Sequence, residues 1–155
     1  MSKIAVGTKA PNFSLDSTAG GKFALRDAQG RALALYFYPR DNTSGCTKEG
    51  QDFAALHAQF KKTGCDVLGV SPDTLTAHAK FRDQHGFPFH LLSDTDKKVC
   101  VLFDVIQQKS LYGRKYMGVE RSTFLLDDKG VLRQIWRKVK VPGHAAAVLA
   151  AAKAL

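Results

Sequence analysis

The sequence predicts an α/β fold in which a central mixed β-sheet is flanked by helices and preceded by an N-terminal β-hairpin. Two apolar runs, residues 32–38 and 67–70, have the continuity of strands that are buried on both faces of a sheet. Between them, residues 44–62 carry apolar side chains at spacings of three and four, the periodicity of an amphipathic helix. This alternation of strands and helices implies a mixed sheet with helices packed against it.

The first elements are two short strands, predicted around residues 12–15 and 22–25. Residues 16–21 between them are turn formers, which favours a hairpin. The strand at 32–38 is predicted to end at Pro39, because proline has no N–H to continue a ladder.

The remaining elements are predicted in chain order. They are a strand at 67–70, a helix at 74–84, a strand at 89–92, a short helix at 97–103, strands at 122–126 and 131–139 joined by a turn, and an Ala-rich helix at 144–155. Residues 107–119 show too little periodicity for an assignment. Because the chain fits one ordinary domain and has no Pro/Gly-rich linker, a single domain over residues 1–155 is expected.

The composition is that of a globular protein, with 45% hydrophobic and 24% charged residues. No segment has the pattern of a signal peptide or approaches the ~20 apolar residues of a membrane helix, so we expect a cytoplasmic protein without a membrane partner. Three widely spaced cysteines, Cys46, Cys65 and Cys100, argue against a disulfide framework and favour a reducing compartment.

The net charge of +9 raises the question of a nucleic-acid partner. The basic residues are scattered, and the densest segment, 133–140, interleaves them with apolar residues as a half-buried strand does. We therefore expect no nucleic-acid partner and interpret the charge as a basic field that suits an anionic substrate. No metal site is predicted, because the five histidines share no ligand spacing with one another or with the cysteines. His57 and His78 are expected on helix surfaces.

Cys46 is the strongest candidate for chemistry. It falls in the first turn of a predicted helix that follows the C-terminal end of a buried strand, where the helix dipole favours a thiolate. The Thr43 hydroxyl could donate to a thiolate or a peroxide oxygen, Pro39 could wall the pocket, and Arg121 or Arg40 could supply a fixed cation. Taken alone, the same cysteine is better interpreted as a small buried residue after an N-cap formed by Thr43 or Ser44, because most cysteines behave as small hydrophobic residues.

The segment Pro39-x-x-x-Thr43-x-x-Cys46 resembles the active-site signature of the peroxiredoxins, and residues 36–50 are similar to the peroxiredoxin Q, or bacterioferritin comigratory protein, subfamily. Further similar segments are 7–15, 70–73, 87–94 and 121–127. The resemblance implies a thioredoxin-like fold and a thiol peroxidase without a cofactor. It implies that Cys46 is the peroxidatic cysteine, Thr43 its hydroxyl partner, Pro39 its shield and Arg121 the active-site arginine, with Glu49 and Gly45 in supporting positions.

The chain departs from the subfamily at its resolving cysteine. The two usual positions of that residue are occupied by Gln51 and Arg82, and Ser44 stands where proline is usual. Cys65 and Cys100 are expected to lie too far from Cys46 for a disulfide. A one-cysteine mechanism is therefore predicted, in which the partners are hydrogen peroxide or an alkyl hydroperoxide and an external thiol such as thioredoxin, glutaredoxin or glutathione. A monomer or weak dimer is expected.

Two alternatives stay open at this point. Cys65 or Cys100 could serve a two-cysteine mechanism after local unfolding, or the chain could be a thiol redox sensor or holdase in which turnover is incidental. A disulfide reductase is disfavoured, because residues 46–49 contain no second cysteine.

Overall fold

A computed structural model describes residues 4–155 of the protein. Seven of its strands form one mixed sheet, and two further strands form a separate hairpin. The strands are β1 (Ser14–Ser17), β2 (Lys22–Ala24), β3 (Ala32–Phe37), β4 (Cys65–Ser71), β5 (His90–Ser93), β6 (Ile106–Leu111), β7 (Arg114–Val119), β8 (Ser122–Leu126) and β9 (Leu132–Trp136). The helices are α1 (Ser44–Lys62), α2 (Leu75–His85), α3 (Lys98–Leu102) and α4 (His144–Lys153), with a 3₁₀ turn at Leu25–Ala28. The order across the sheet is β2-β1-β5-β4-β3-β8-β9.

Strand β3 lies between β4 and β8 in the seven-stranded sheet. It pairs in parallel with β4 and antiparallel with β8, and every residue after Ala32 is buried. Its continuous apolar run is what a strand covered on both faces requires, so the prediction of a central buried strand is confirmed.

The sheet separates two hydrophobic cores. Helices α1, α2 and α4 cover one face and bury Phe53, Phe81 and Val148 against it. The other face is covered by α3 and the 3₁₀ turn, with Phe103 at the centre of a second cluster. Helices on both faces of a mixed sheet are the predicted α/β architecture.

The predicted N-terminal hairpin is present. Strands β1 and β2 pair antiparallel with Leu15 opposite Phe23, and β1 also pairs antiparallel with β5. The hairpin therefore extends the main sheet at one edge.

Residues 107–119, which the sequence left unassigned, form most of a second hairpin. Strands β6 and β7 pair only with each other, and the turn uses Tyr112 and Gly113 at positive φ of 51° and 77°. Most of their side chains are exposed, so neither strand has the apolar alternation that signals a half-buried strand.

One further boundary differs from the sequence prediction. Strand β9 ends at Trp136 rather than at residue 139, and Lys138 adopts a left-handed φ of 49° that does not continue a strand. No helix within residues 4–155 is both long enough and apolar enough to cross a membrane. The single domain over residues 1–155 stays a prediction.

Candidate active site

Cys46 lies at the start of α1, beyond the C-terminal end of β3. It is the third residue of the helix, and its side chain is 2% exposed within the core that α1 shares with the sheet. Thr43 is the N-cap, with the extended backbone that such a position needs. The thiol therefore faces the positive end of a helix of 19 residues.

Arg121 brings a fixed cation to this thiol. It directly precedes β8, the antiparallel neighbour of β3, and its Nη2 donates to Cys46 Sγ at 3.4 Å. Its Nη1 donates to Glu49 Oε1 at 2.6 Å, one helical turn further along α1. The guanidinium thus bridges two side chains of the same helix face, as residues at i and i+3 permit.

Gly45 makes this close approach possible. A Cβ at this position would lie 3.2 Å from Arg121 Nη2, tighter than nine in ten contacts of real Cβ atoms, so the guanidinium would have to move by a few tenths of an ångström. The position is helical and needs no positive φ, so the requirement for glycine comes from space and not from the backbone conformation.

Glu49 is a buried carboxyl with 1% exposure. Desolvation raises its pKa from 4.5 to about 7, and the neighbouring Arg121 charge opposes that rise without cancelling it. For Arg121, burial alone would lower the pKa, but the charges of Glu49 and Cys46 outweigh it, and the net pKa is raised. The arginine is therefore a permanent cation beside a carboxyl whose charge changes near neutral pH.

Tyr36 adds a second polar group to the same region. Burial raises the pKa of its hydroxyl, and the charges of Glu49 and Cys46 raise it further, so it lies within electrostatic range of both. Within residues 4–155, neither the Tyr36 hydroxyl nor Glu49 Oε2 has a hydrogen-bond partner. Sequence reasoning assigned Tyr36 only to the buried strand.

Thr43 and Pro39 lie in the loop between β3 and α1. The Thr43 hydroxyl donates to the Arg40 carbonyl at 2.9 Å rather than to the thiol, so a hydrogen bond to a substrate oxygen requires this bond to exchange. Pro39 is half-buried directly after β3 and Tyr38. The roles predicted for Thr43 and Pro39 stay predictions. Arg40, the alternative cation, is exposed.

A buried hydrogen-bond network holds this loop. His78 Nδ1 lies 2.7 Å from Asp41 Oδ2, and His78 Nε2 lies 2.9 Å from the Leu92 carbonyl. The Tyr38 hydroxyl donates to Asp41 Oδ1 at 2.7 Å, and Asp73 accepts from the Asp41 N–H at 2.9 Å. The network connects the loop between β3 and α1 to α2 and to the ends of β4 and β5.

The prediction that His78 lies on a helix surface is wrong, because its side chain is 0% exposed. Its main partner, Asp41, lies 37 residues earlier in the sequence, so no local pattern on α2 indicates the pair. His57 is half-buried on α1. The donor atoms of Asp41, Asp73 and His78 lie within 4.8 Å of one another, the spacing of a metal site. All three side chains already have hydrogen-bond partners in the protein, which accounts for their clustering without an ion.

Lys109 on β6 is a further group that sequence reasoning missed. Burial lowers its pKa first, the Arg121 charge lowers it further, and Cys46 raises it. Its ammonium is therefore close enough to interact with both groups of the site. The geometry agrees, because β7 ends at Val119, two residues before Arg121, and the second hairpin therefore adjoins the active site.

The other two cysteines lie away from Cys46. Cys65 pairs with Ala32 at the start of β3, which places it about 16 Å along the strand from Phe37 at 3.3 Å per residue. Cys100 belongs to the core on the opposite face of the sheet. Burial raises the pKa of Cys65 to about 12 and also raises that of Cys100, so both thiols are chemically quiet at neutral pH. All three cysteines are free.

The two usual resolving positions have ordinary structural surroundings. Gln51 is exposed on α1, and Arg82 on α2 donates from Nε to the Phe89 carbonyl at 2.8 Å. Neither side chain can replace a thiol.

Comparison with known proteins agrees with this geometry. The AhpC/TSA family matches residues 6–135. Peroxiredoxin Bcp of Xanthomonas campestris is 51% identical over 140 residues, which cover 90% of this chain and 88% of that protein. The crystal structure of a PrxQ mutant from Xylella fastidiosa superimposes with a TM-score of 0.93 at 40% identity, covering 99% of this chain and 98% of that one.

A second similar structure concerns activity. It is bacterioferritin comigratory protein of X. campestris, whose trapped intermediate and ligand complexes concern its alkyl peroxide reduction activity. It superimposes with a TM-score of 0.87 at 50% identity, and the match covers 92% of this chain and 90% of that one. These neighbours confirm the thioredoxin-like fold predicted from the sequence. The chain belongs to the AhpC/TSA family and, within it, is a thiol peroxidase of the peroxiredoxin Q, or bacterioferritin comigratory protein, group.

Proposed function

We propose that Cys46 reduces hydroperoxides by a one-cysteine mechanism and is regenerated by an external thiol. The observation that carries this proposal is the Arg121 guanidinium, which contacts Cys46 Sγ at 3.4 Å and is held by Glu49 at 2.6 Å. The positions of Cys65 and Cys100, one far along the sheet and one behind it, support the external thiol.

In the first step, the Cys46 thiolate attacks the terminal oxygen of a hydroperoxide. An S–O bond forms as the O–O bond breaks, and the leaving oxygen takes a proton to become water or an alcohol. The sulfur is oxidised by two electrons to a sulfenic acid. Arg121 stabilises the charge that develops along the S–O–O axis, and this interaction lowers the barrier because it is stronger in the transition state than in the ground state.

In the second step, an external thiolate attacks the sulfenic sulfur. A disulfide bond forms between the two proteins or between protein and small thiol, and the sulfenic oxygen leaves as water after protonation. A second thiol then attacks the mixed disulfide and releases the Cys46 thiolate. No metal, flavin or haem is required for this sequence.

The proposed substrates are hydrogen peroxide and alkyl hydroperoxides, the latter supported by the activity named for the X. campestris relative. The proposed reductants are thioredoxin, glutaredoxin or glutathione. Three free cysteines favour a reducing compartment, which makes the cytoplasm the proposed location. We expect a monomer or weak dimer.

The decisive experiment is intact mass analysis and disulfide mapping after one equivalent of peroxide. We expect a lone sulfenic acid or a thiol-capped Cys46, and loss of peroxide consumption in Cys46→Ser. An internal disulfide from Cys46 to Cys65 or Cys100 would refute the one-cysteine mechanism, and full consumption by Cys46→Ser would refute the assignment of the nucleophile. Rapid multiple turnover with a thiol separates an enzyme from a sensor that is oxidised once.

A further inference from the structure

The β6–β7 hairpin, residues 106–119, carries a concentration of exposed apolar side chains. Tyr112 is 96% exposed and Met117 59%, and Leu111 and Tyr116 are exposed as well. The hairpin pairs with no strand of the main sheet. Large aromatic and thioether side chains that remain uncovered on one short element are typical of a surface that contacts another protein.

The charge of the hairpin is uniformly positive. It contains Lys109, Arg114 and Lys115 and no acidic residue. Within residues 4–155, neither Arg114 nor Lys115 takes part in an ion pair. The surface is therefore complementary to an acidic partner, whose approach a positive field accelerates.

The strand register shows which face of the hairpin borders the active site. Lys109 is opposite Tyr116, and Leu111 is opposite Arg114, so these four residues share one face because directly opposed residues point to the same side. Strand β7 ends at Val119, two residues before Arg121, whose guanidinium contacts Cys46 Sγ at 3.4 Å. Lys109 on this face lies within electrostatic range of the same two groups. The hairpin therefore adjoins the active site, and the face that Lys109 shares carries a tyrosine, a leucine and two cations.

We propose that the β6–β7 hairpin is the docking surface for an acidic protein thiol that reduces the Cys46 sulfenic acid. This inference rests on the proposed function, because it supplies the external reductant that the chain itself lacks. The docked protein's thiolate attacks the Cys46 sulfur, an S–S bond forms, and the sulfenic oxygen leaves as water with a proton. A second thiol of the same partner then releases Cys46 as a thiolate.

A second copy of this chain is a poorer occupant of the surface. In a symmetric dimer the same patch lies on both sides of the contact, so Arg114 and Lys115 would approach their own counterparts with no acidic residue of the hairpin to compensate. A protein thiol also explains why the surface lies beside the reacting sulfur, a position that an anionic membrane does not require.

The test measures the two half-reactions separately in a charge-reversed hairpin, Arg114→Glu, whose substituted side chain lies on the face that Lys109 and Tyr116 share. The matched control is Lys61→Glu, which makes the same change in net charge at an exposed position about 23 Å further along α1 from Cys46. Each protein is first oxidised with one equivalent of peroxide. It is then reduced either with reduced bacterial thioredoxin, an acidic dithiol protein, or with dithiothreitol, which needs no docking surface.

We expect the rate constant for reduction by thioredoxin to be about tenfold lower, or more, in the hairpin variant than in the wild type. In the wild type, this rate constant should fall as salt is added. Oxidation by peroxide and reduction by dithiothreitol should stay at wild-type rates, and the control should match the wild type throughout. Equal thioredoxin rates in the two variants would overturn the docking surface, as would a wild-type protein that dithiothreitol reduces and thioredoxin does not. Loss of self-association, or of sedimentation with phosphatidylglycerol vesicles, at an unchanged thioredoxin rate would assign the hairpin to those partners instead.

The same experiment separates the inference from the proposed function. If the oxidised wild-type protein contains an internal disulfide, the one-cysteine mechanism fails. The comparison of the two variants still decides the docking surface, because an internal disulfide must also be reduced from outside.

Discussion

Gly45 is the residue at which the backbone of α1 and the Arg121 guanidinium come closest. Gly45→Ala should lower kcat/KM for peroxide by about tenfold or more, because the new Cβ displaces Nη2 from its place against Cys46. Helix propensity favours alanine by ~1 kcal/mol, so stability should not fall with activity. Stopped-flow oxidation and urea denaturation measure the two quantities.

Gly50 provides the contrast on the same helix. A Cβ at Gly50 would overlap Phe87 Cζ, within the hydrophobic core. Gly50→Ala should therefore lower the free energy of unfolding by about 1–3 kcal/mol through overpacking. If Gly45→Ala lost stability as Gly50→Ala does while retaining its reactivity, the steric link to Arg121 would be wrong.

Glu49 makes stability depend on pH in a defined direction. Its pKa is raised from 4.5 to about 7 in the folded protein, so the folded state binds more protons than the unfolded state between those values. The contribution is fully present below pH 4.5 and is lost as pH rises through 7, a decrease on the order of 3 kcal/mol. Urea denaturation at pH 5 and pH 7.5 should show this decrease in the wild type and a smaller one in Glu49→Gln. The same slope in both proteins would contradict the assignment to Glu49.

At the scale of elements, the Asp41–His78 pair connects α2 to the loop that carries Pro39 and Thr43. The Leu92 carbonyl can only accept, so His78 Nε2 carries a hydrogen and donates it, and a second buried hydrogen bond joins His78 Nδ1 to Asp41 Oδ2. Removing one partner leaves the other buried without its hydrogen bond. The resulting loss in the free energy of unfolding is larger than the net stabilisation that the intact pair provides.

Asp41→Ala should therefore lower the free energy of unfolding by about 3–5 kcal/mol. In Asp41→Asn, the amide can donate to Nδ1 while its oxygen still accepts from Tyr38, so the loss should be closer to ~1 kcal/mol. Chemical denaturation of both variants checks the order, and equal losses would show that the hydrogen bonds of the network are not its stabilising feature.

The elements that the sequence predicts well are those with a clear apolar period. Helix α1 has the predicted bounds, and β3 and the two strands of the N-terminal hairpin begin and end within about two residues of the predicted positions. The β6–β7 hairpin was missed because its side chains face solvent or the active site and follow no period. For the same reason Lys109 was missed, since its importance depends on a fold that returns β6 to Cys46.

The residues of the candidate site were likewise predicted only in part. The residues around Cys46 left Arg40 and Arg121 as equal candidates for the cation, and only the family resemblance favoured Arg121. The structure separates them, because Arg121 contacts the sulfur from 75 residues away in the sequence while Arg40 is exposed. Contacts between distant residues such as this one, or Asp41 with His78, follow from topology and have no local signature.

At the scale of the whole molecule, the sheet places its three thiols in different environments. Cys65→Ser/Cys100→Ser should retain wild-type peroxide turnover with an external thiol, because neither side chain is near Cys46 and both thiols have raised pKa values. Peroxidase assays with thioredoxin and dithiothreitol measure the turnover. A fall in turnover with no loss of thermal stability would instead show that one of these cysteines takes part in catalysis.

The separation of the thiols also sets the fate of Cys46 between its two reactions. In the proposed one-cysteine mechanism, the sulfenic acid persists until an outside thiol reacts with it, and a second peroxide molecule can meanwhile convert it irreversibly to the sulfinic acid. In that mechanism, the lifetime of the enzyme in the presence of peroxide depends on the relative rates at which peroxide and the reducing thiol react with the Cys46 sulfur. Under that mechanism, a fall in the supply of reduced thiol would inactivate the protein even at an unchanged peroxide concentration.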